Sequence, residues 1–214
     1  MKIGLFFGSF NPIHIGHALI ARYALENFKL KQVWFVVSPH NPLKSPEDFD
    51  FNGDVSKVDS IYLSSISHRF QMVNNVCKEM SNTFEYSPID LEYSLPKPSY
   101  TCDTLRHLMS LDVNKRNTFH IIMGSDCLHQ IHKWKDYEYI LENFPILVYP
   151  RPGTDFPPEN IDSTLYDIRE FKQTTYIDLS STIIRDRIKN KKSILYMVPE
   201  SVREHIIMRE LYSK

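Results

Sequence analysis

The sequence predicts an α/β fold, an open parallel sheet flanked by helices, and three observations carry that reading. Lys2–Gly8 and Gln32–Val37 are short apolar runs rich in β-branched and aromatic residues, as buried strands are. Between them, Ala18–Phe28 places apolar residues at helical spacing. So short a strand–helix–strand passage implies parallel strands joined by a right-handed crossover. Further on, Phe119–Met123 and Pro145–Tyr149 repeat the alternation. A chain of 214 residues has a sizeable core as one domain, 1–214, and would be cramped as two.

Bulk properties exclude several classes. The formal net charge of −1 gives no overall basic field, so no nucleic acid is expected as an obligatory partner. No apolar run approaches the length of a membrane span, and Met1-Lys2 enters the first strand without a leader pattern, so no membrane association is expected. Cys77, Cys102 and Cys127 are odd in number and lack metal or redox spacing, which fits free thiols in a reducing cytoplasm.

The first strand ends at Gly8, and Ser9-Phe10-Asn11-Pro12 form a tight loop before a helix that opens near His14-Ile15-Gly16-His17. A helix N-terminus presents backbone N–H groups and a positive dipole end to an anion. His14 and His17 are three apart and share a face of the first turn, with Gly16 leaving room for a ligand. Nucleotide phosphate suits this arrangement best; half of a metal site and a helix cap are the competing accounts. The second strand runs into Ser38-Pro39-His40-Asn41-Pro42-Leu43-Lys44, where prolines stiffen a loop carrying His40 and Lys44 beside the first.

Residues 45–64 are acidic and turn-rich, a candidate lid or surface insertion. A helix is predicted from Ile66, with Arg69 next to its apolar face, and an extended segment over Phe84–Tyr93 weakened by Pro88. The next helix starts near Tyr100 or Thr101. After Phe119–Met123, Gly124-Ser125-Asp126 reads as a ribose-binding edge or an N-cap. One helix then runs through Leu128 and Ile131 to Trp134, and a second covers Tyr137–Phe144. Arg151-Pro152-Gly153 is a turn, 155–170 a second candidate surface insertion, and Thr174–Asp178 a short strand. Ser180 and Ser181 can cap a helix whose first turn carries Arg185, a placement that an anionic ligand would offset. Glu200–Tyr212 closes the chain as a helix.

The opening pattern G-x-F-x-P-x-H-x-G-H resembles the signature of the HxGH nucleotidyltransferase superfamily, which implies a Rossmann-like single nucleotidyltransferase domain. KPSYTCDTL, IIMGSDCL, HKWKDYEYIL, PRPG and SSTIIR follow in one order, and the set resembles the nicotinate-nucleotide adenylyltransferases. That resemblance implies transfer of AMP from ATP to nicotinate mononucleotide, forming nicotinate adenine dinucleotide and pyrophosphate in NAD biosynthesis. By the same resemblance His14, His17, Lys44 and Arg185 are catalytic, and Gly8, Ser9, Phe10, Asp126, Ser180 and Ser181 join His14, His17 and Arg185 in binding ATP. Asn11, Lys44, Thr101, Trp134 and Lys135 would bind nicotinate mononucleotide, Trp134 by stacking on the pyridine ring and Thr101 near its carboxylate. Core packing is the competing account of Trp134. Mg²⁺ would ride on the ATP phosphates with water as its other ligands, without a protein metal cage. Self-association into a homo-oligomer is left open. The loop departs from relatives in reading Gly-Ser-Phe-Asn, and the second loop leaves open which of His40 and Lys44 meets each phosphate. On this reading the two histidines are half of a phosphate clamp rather than a metal pair or a helix cap.

Overall fold

The chain's first strand, β1 (Lys2–Gly8), pairs on both sides in a computed structural model that describes residues 1–39, 58–80, 85–111, 116–159, 161–172 and 174–213. On one side lies β2 (Gln32–Val37), in register from Ile3↔Gln32 to Gly8↔Val37; on the other lies β4 (Thr118–Gly124), from Lys2↔Thr118 to Phe6↔Ile122. With β3 (Tyr86–Ile89), β5 (Ile146–Tyr149) and β6 (Ile168–Glu170), the sheet has the order β3-β2-β1-β4-β5-β6, parallel throughout. The order reverses between β1 and β4, and a crevice for ligands opens beyond the carboxyl ends of strands at such a point.

Both faces of the sheet are covered, which is why its central strands read as continuous apolar runs. Phe6, Val33, Phe35 and Ile122 pack with α1 (Ile15–Phe28), α2 (Val58–Met80), α6 (Ser181–Lys189) and α7 (Glu200–Met208). Ile3, Leu5, Val36 and Ile121 pack with α3 (Thr101–Ser110), α4 (Ser125–His129) and α5 (Tyr137–Asn143) on the other face. Pro88 sits opposite Phe35 on the edge strand β3, where a missing N–H is tolerated.

Several boundaries differ from expectation. Helix α1 starts at Ile15 and α2 at Val58, so the last seven residues of 45–64 are helical; 45–57, with His40 and Lys44, lie outside the described residues. The helix expected to reach Trp134 breaks at Gln130 into α4 and a 3-10 turn, Ile131–Lys133. The last strand is Ile168–Glu170, at the end of the candidate 155–170 insertion, and not Thr174–Asp178. Its pairing is continued by Ile146 N–H donating to Asp167 O (2.8 Å) and Phe171 N–H to Val148 O (3.0 Å). Its charged residues suit an open sheet edge and hide the strand's period. Helix α7 ends at Met208 because Glu210 and Tyr212 adopt left-handed backbone, φ 51° and 62°.

Candidate functional site

The site is organised by the loop from Gly8 to His14. Phe10 takes a left-handed backbone (φ 46°), so its ring folds back on Gly8 and packs edge-on against Phe6, Phe35 and His17. Burying Phe10 this way leaves the peptides on either side of it to form the loop at the end of β1. Distant parts of the chain then tie that loop down. Ser181 Oγ–H donates to Pro12 O (2.8 Å), Arg185 donates to Asn11 O (2.9 Å), and Ile15 N–H donates to Met197 O (3.1 Å). The phenol of Tyr212 donates to Asn11 Oδ1 at 2.7 Å.

His14 is the N-cap residue of α1, with extended backbone. Its N–H donates to His17 Nδ1 (3.2 Å), and the two rings stack with centroids 3.7 Å apart. Helix capping was set aside on sequence grounds, and the structure restores it: His17 accepts from one of the N–H groups that a helix start leaves over. Because Nδ1 of His17 accepts, its proton lies on Nε2. His14 is buried, and its Nδ1 has no hydrogen-bond partner among the described residues. Burial first, and then the positive charge of Arg151, hold its imidazole down at about 3, so His14 is neutral. An orphaned lone pair is tolerated better than an orphaned N–H, so its proton also belongs on Nε2. Gly16 does not leave ligand space as expected. A Cβ there would stand 3.0 Å from Cε1 and Nδ1 of His14, so the missing side chain makes room for the imidazole.

Across the crevice, β4 ends at Gly124, and Asp126 Oδ1 folds back so closely that a Cβ on Gly124 would overlap it. The Asp126 carboxylate is 52% exposed and 3.9 Å from Arg151 Nε. Ser125, fully buried, fixes the turn that carries Arg151: its Oγ accepts from Arg151 N–H (2.8 Å) and bonds Thr154 Oγ1. Ser180 is the N-cap of α6, its Oγ accepting from Ile183 N–H (3.3 Å).

Thr101 is the first residue of α3, after the N-cap Tyr100. Lys135 donates to Asp103 (2.9 Å) and lies 4.8 Å above the Tyr100 ring, while Arg106 donates to Asp136 (2.8 Å). These contacts bring the start of α3 against the segment carrying Trp134, which is half-buried against the β4 core. The structure thus gathers Gly8–His17 with Arg185, and Thr101 with Trp134 and Lys135. The side chains of Asn11, Ser180 and Ser181 are engaged within the protein.

Sequence reasoning placed Arg69 beside an apolar helix face and Arg151 in a turn and gave neither a role in the site. Arg69 is completely buried and donates to Ser9 O (2.6 Å), Ser38 O (2.8 Å) and Pro39 O (3.4 Å), joining the loops after β1 and β2. An arginine in the 66–73 apolar stripe was its only trace in the sequence. Arg151 read only as part of a turn. A cavity of about 440 Å³ between α6 and α7, lined by Ile188, Ile194, Ile206 and Leu211, includes none of the expected site residues.

Known proteins match this chain in sequence and in fold. Residues 5–187 fit the cytidylyltransferase-like family model. The chain is 41% identical, over the whole of both chains, to a protein of Flavobacterium psychrophilum named probable nicotinate-nucleotide adenylyltransferase. A Bacteroides thetaiotaomicron protein of the same name is 34% identical over 96% of this chain and 91% of its own. The fold is similar to a Plasmodium falciparum nicotinic acid mononucleotide adenylyltransferase complexed with NaAD: TM-score 0.70 and 19% identity, over 99% of this chain and 97% of that one. The chain belongs to the cytidylyltransferase-like family and, within it, to the nicotinate-nucleotide adenylyltransferases.

Proposed function

We propose that the crevice between β1 and β4 transfers the adenylyl group of ATP to the phosphate of nicotinate mononucleotide. One observation supports the reading at the site: His17 Nδ1 accepts from His14 N–H and Arg185 donates to Asn11 O, so an imidazole and a guanidinium are both tied to the β1–α1 loop. An oxygen of the acceptor phosphate attacks the α-phosphorus, the bond to the β-phosphate oxygen breaks, and pyrophosphate leaves. No covalent enzyme intermediate is needed, so the protein's work is alignment of two polyanions and stabilisation of spreading charge.

His17 Nε2–H is assigned to the α-phosphate, with His14, Lys44 and Arg185 as further cationic or N–H contacts and the peptides of Gly8, Ser9 and Phe10 as a backbone cradle. Two neutral imidazoles keep their donors without demanding a protonation step. Ser180 and Ser181 act on the ATP side by setting the start of α6, whose N-terminus favours an anion. Asp126 takes the adenosine ribose, and Arg151 beside it adds positive charge. Trp134, Thr101, Lys135, Asn11 and Lys44 are assigned to the acceptor, with Trp134 under the pyridine ring. Mg²⁺ would come bound to the ATP phosphates, where it would supply positive charge, and no cluster of metal-ligating side chains is seen among the described residues. We place the reaction in the cytoplasm, which suits the free thiols of Cys77, Cys102 and Cys127.

The test is pyrophosphate release from ATP and Mg²⁺ with nicotinate mononucleotide, in parallel with nicotinamide mononucleotide and phosphopantetheine. Release that requires nicotinate mononucleotide is expected. Folded protein inactive with both pyridine nucleotides refutes the assignment.

A further inference from the structure

We infer that Tyr212 is a positioning residue for adenylyl transfer, acting through Asn11 to hold the phosphate loop in register with Arg185; the inference rests on the proposed function. It begins in the way the chain ends. After α7, Leu211 N–H closes back on Ile206 O (3.0 Å), and left-handed backbone at Glu210 and Tyr212 reverses the direction of the chain. The reversal turns Leu211 and Tyr212 inward, each only 4% exposed, among Phe10, Ile13 and Ile184.

The Tyr212 hydroxyl thereby reaches Asn11, itself 2% exposed, and donates to its Oδ1 at 2.7 Å. Burial raises the phenol well above its ordinary range, so the group remains a donor at any working pH. Asn11 is consequently gripped through its carboxamide by the end of the chain and through its main-chain carbonyl by Arg185. The neighbouring grips from Arg69 on Ser9 O and Ser181 on Pro12 O hold backbone alone. Removing the hydroxyl takes a donor at 2.7 Å away from a buried carboxamide oxygen, which favours reorientation of that side chain. The peptide that anchors Arg185 then shifts with it. A misplacement of this kind is felt in the alignment of reacting groups more than in ground-state binding, and so in kcat more than in KM.

The experiment compares wild type with Tyr212→Phe, which removes one oxygen and keeps the ring. Steady-state rates are expected to fall about tenfold in kcat, with both KM values within about twofold of wild type. Amide hydrogen exchange without substrates is expected to quicken over residues 9–14 and to stay unchanged in β4. Unchanged exchange over 9–14 overturns the inference, and because no turnover is involved this result stands apart from any failure of the proposed reaction. Unchanged kcat overturns it as well. Asn11→Asp retains the acceptor and is expected to keep wild-type exchange; opening of the loop in that variant also overturns the assignment. Should Tyr212→Phe fail to fold, Asn11→Ser, which cannot reach the phenol, is read by the same exchange measurement with the same two outcomes.

Discussion

The backbone N–H of His14 donates to Nδ1 of His17 at 3.2 Å, so one imidazole secures a helix start through one nitrogen and, in the proposed reaction, would donate to the α-phosphate through the other. The two jobs use different nitrogens and are therefore separable. In His17→Asn the amide oxygen stands near the position of Nδ1 and keeps the cap, while the Nε2 donor is lost. Stability is expected to stay within about 1 kcal/mol of wild type, the usual worth of a cap. Loss of a donor to developing charge costs about 10²–10³ in kcat, and that fall is expected here. A thermal melt and a pyrophosphate assay on the same preparation check both.

His14 gives a pH dependence with a definite sign. Its folded value of about 3 lies below the ordinary 6.5, so under acid the unfolded chain binds a proton that the folded chain refuses. Its contribution to stability is complete above pH 6.5 and is lost as pH falls toward 3, with a limiting slope of about 1.4 kcal/mol per pH unit. Lowered values at His68, His120 and His205 act in the same direction. Urea midpoints between pH 6.5 and 5 should therefore fall for wild type and fall less for His14→Asn. Equal slopes for the two proteins rule out the buried neutral imidazole.

Gly16→Ala should lack the gain of about 1 kcal/mol that alanine ordinarily brings to a helix. Its Cβ would press on the His14 ring at 3.0 Å and displace it from His17. Melting at or below the wild-type temperature, with kcat down about tenfold, is expected. A more stable and fully active variant would show that the imidazole moves aside freely.

Arg69→Met removes a charged donor from Ser9 O and Ser38 O in the interior. Hydrogen bonds to charged groups contribute about 1.5–3 kcal/mol each, so a loss of about 3 kcal/mol or more is expected in urea denaturation. Arg69→Lys, with a compact ammonium in place of the fork, should fall between that variant and wild type.

Trp134→Ala should act on the acceptor. Stacking on an aromatic side chain contributes about 1–3 kcal/mol per base, so KM for nicotinate mononucleotide should rise about tenfold while KM for ATP changes little. A selective change in KM for ATP contradicts the stacking role.

The parts of this molecule that were legible in the sequence are those written as local pattern. Gln32 to Val37 announced a buried parallel strand, and Pro88 weakened the extended segment whose strand the structure places at the sheet edge. Gly8 to His17 announced the turn and the helix start that the structure shows, because turn, glycines and helix opening lie in one short run. Where the partners are backbone carbonyls far along the chain, nothing local records them. Arg69 looked like an irregularity in an apolar stripe, and its three acceptors carry no sequence signal. Tyr212 read as one more helical residue, since its helix ends through left-handed turns at non-glycine positions. Ile168–Glu170 escaped notice because only Ile168 is apolar, whereas Thr174–Asp178 has the better strand pattern and makes no ladder.

The ties from Ser181, Arg185, Met197 and Tyr212 onto residues 11–15 also set a timetable for synthesis. Asn11 is translated 201 residues ahead of Tyr212, the last of these supports. Chains emerge at about 5–20 residues per second, so roughly ten to forty seconds separate the loop from the contact that completes it. Throughout that interval the growing chain holds His14 and His17 without the full set of ties that fixes residues 11–15.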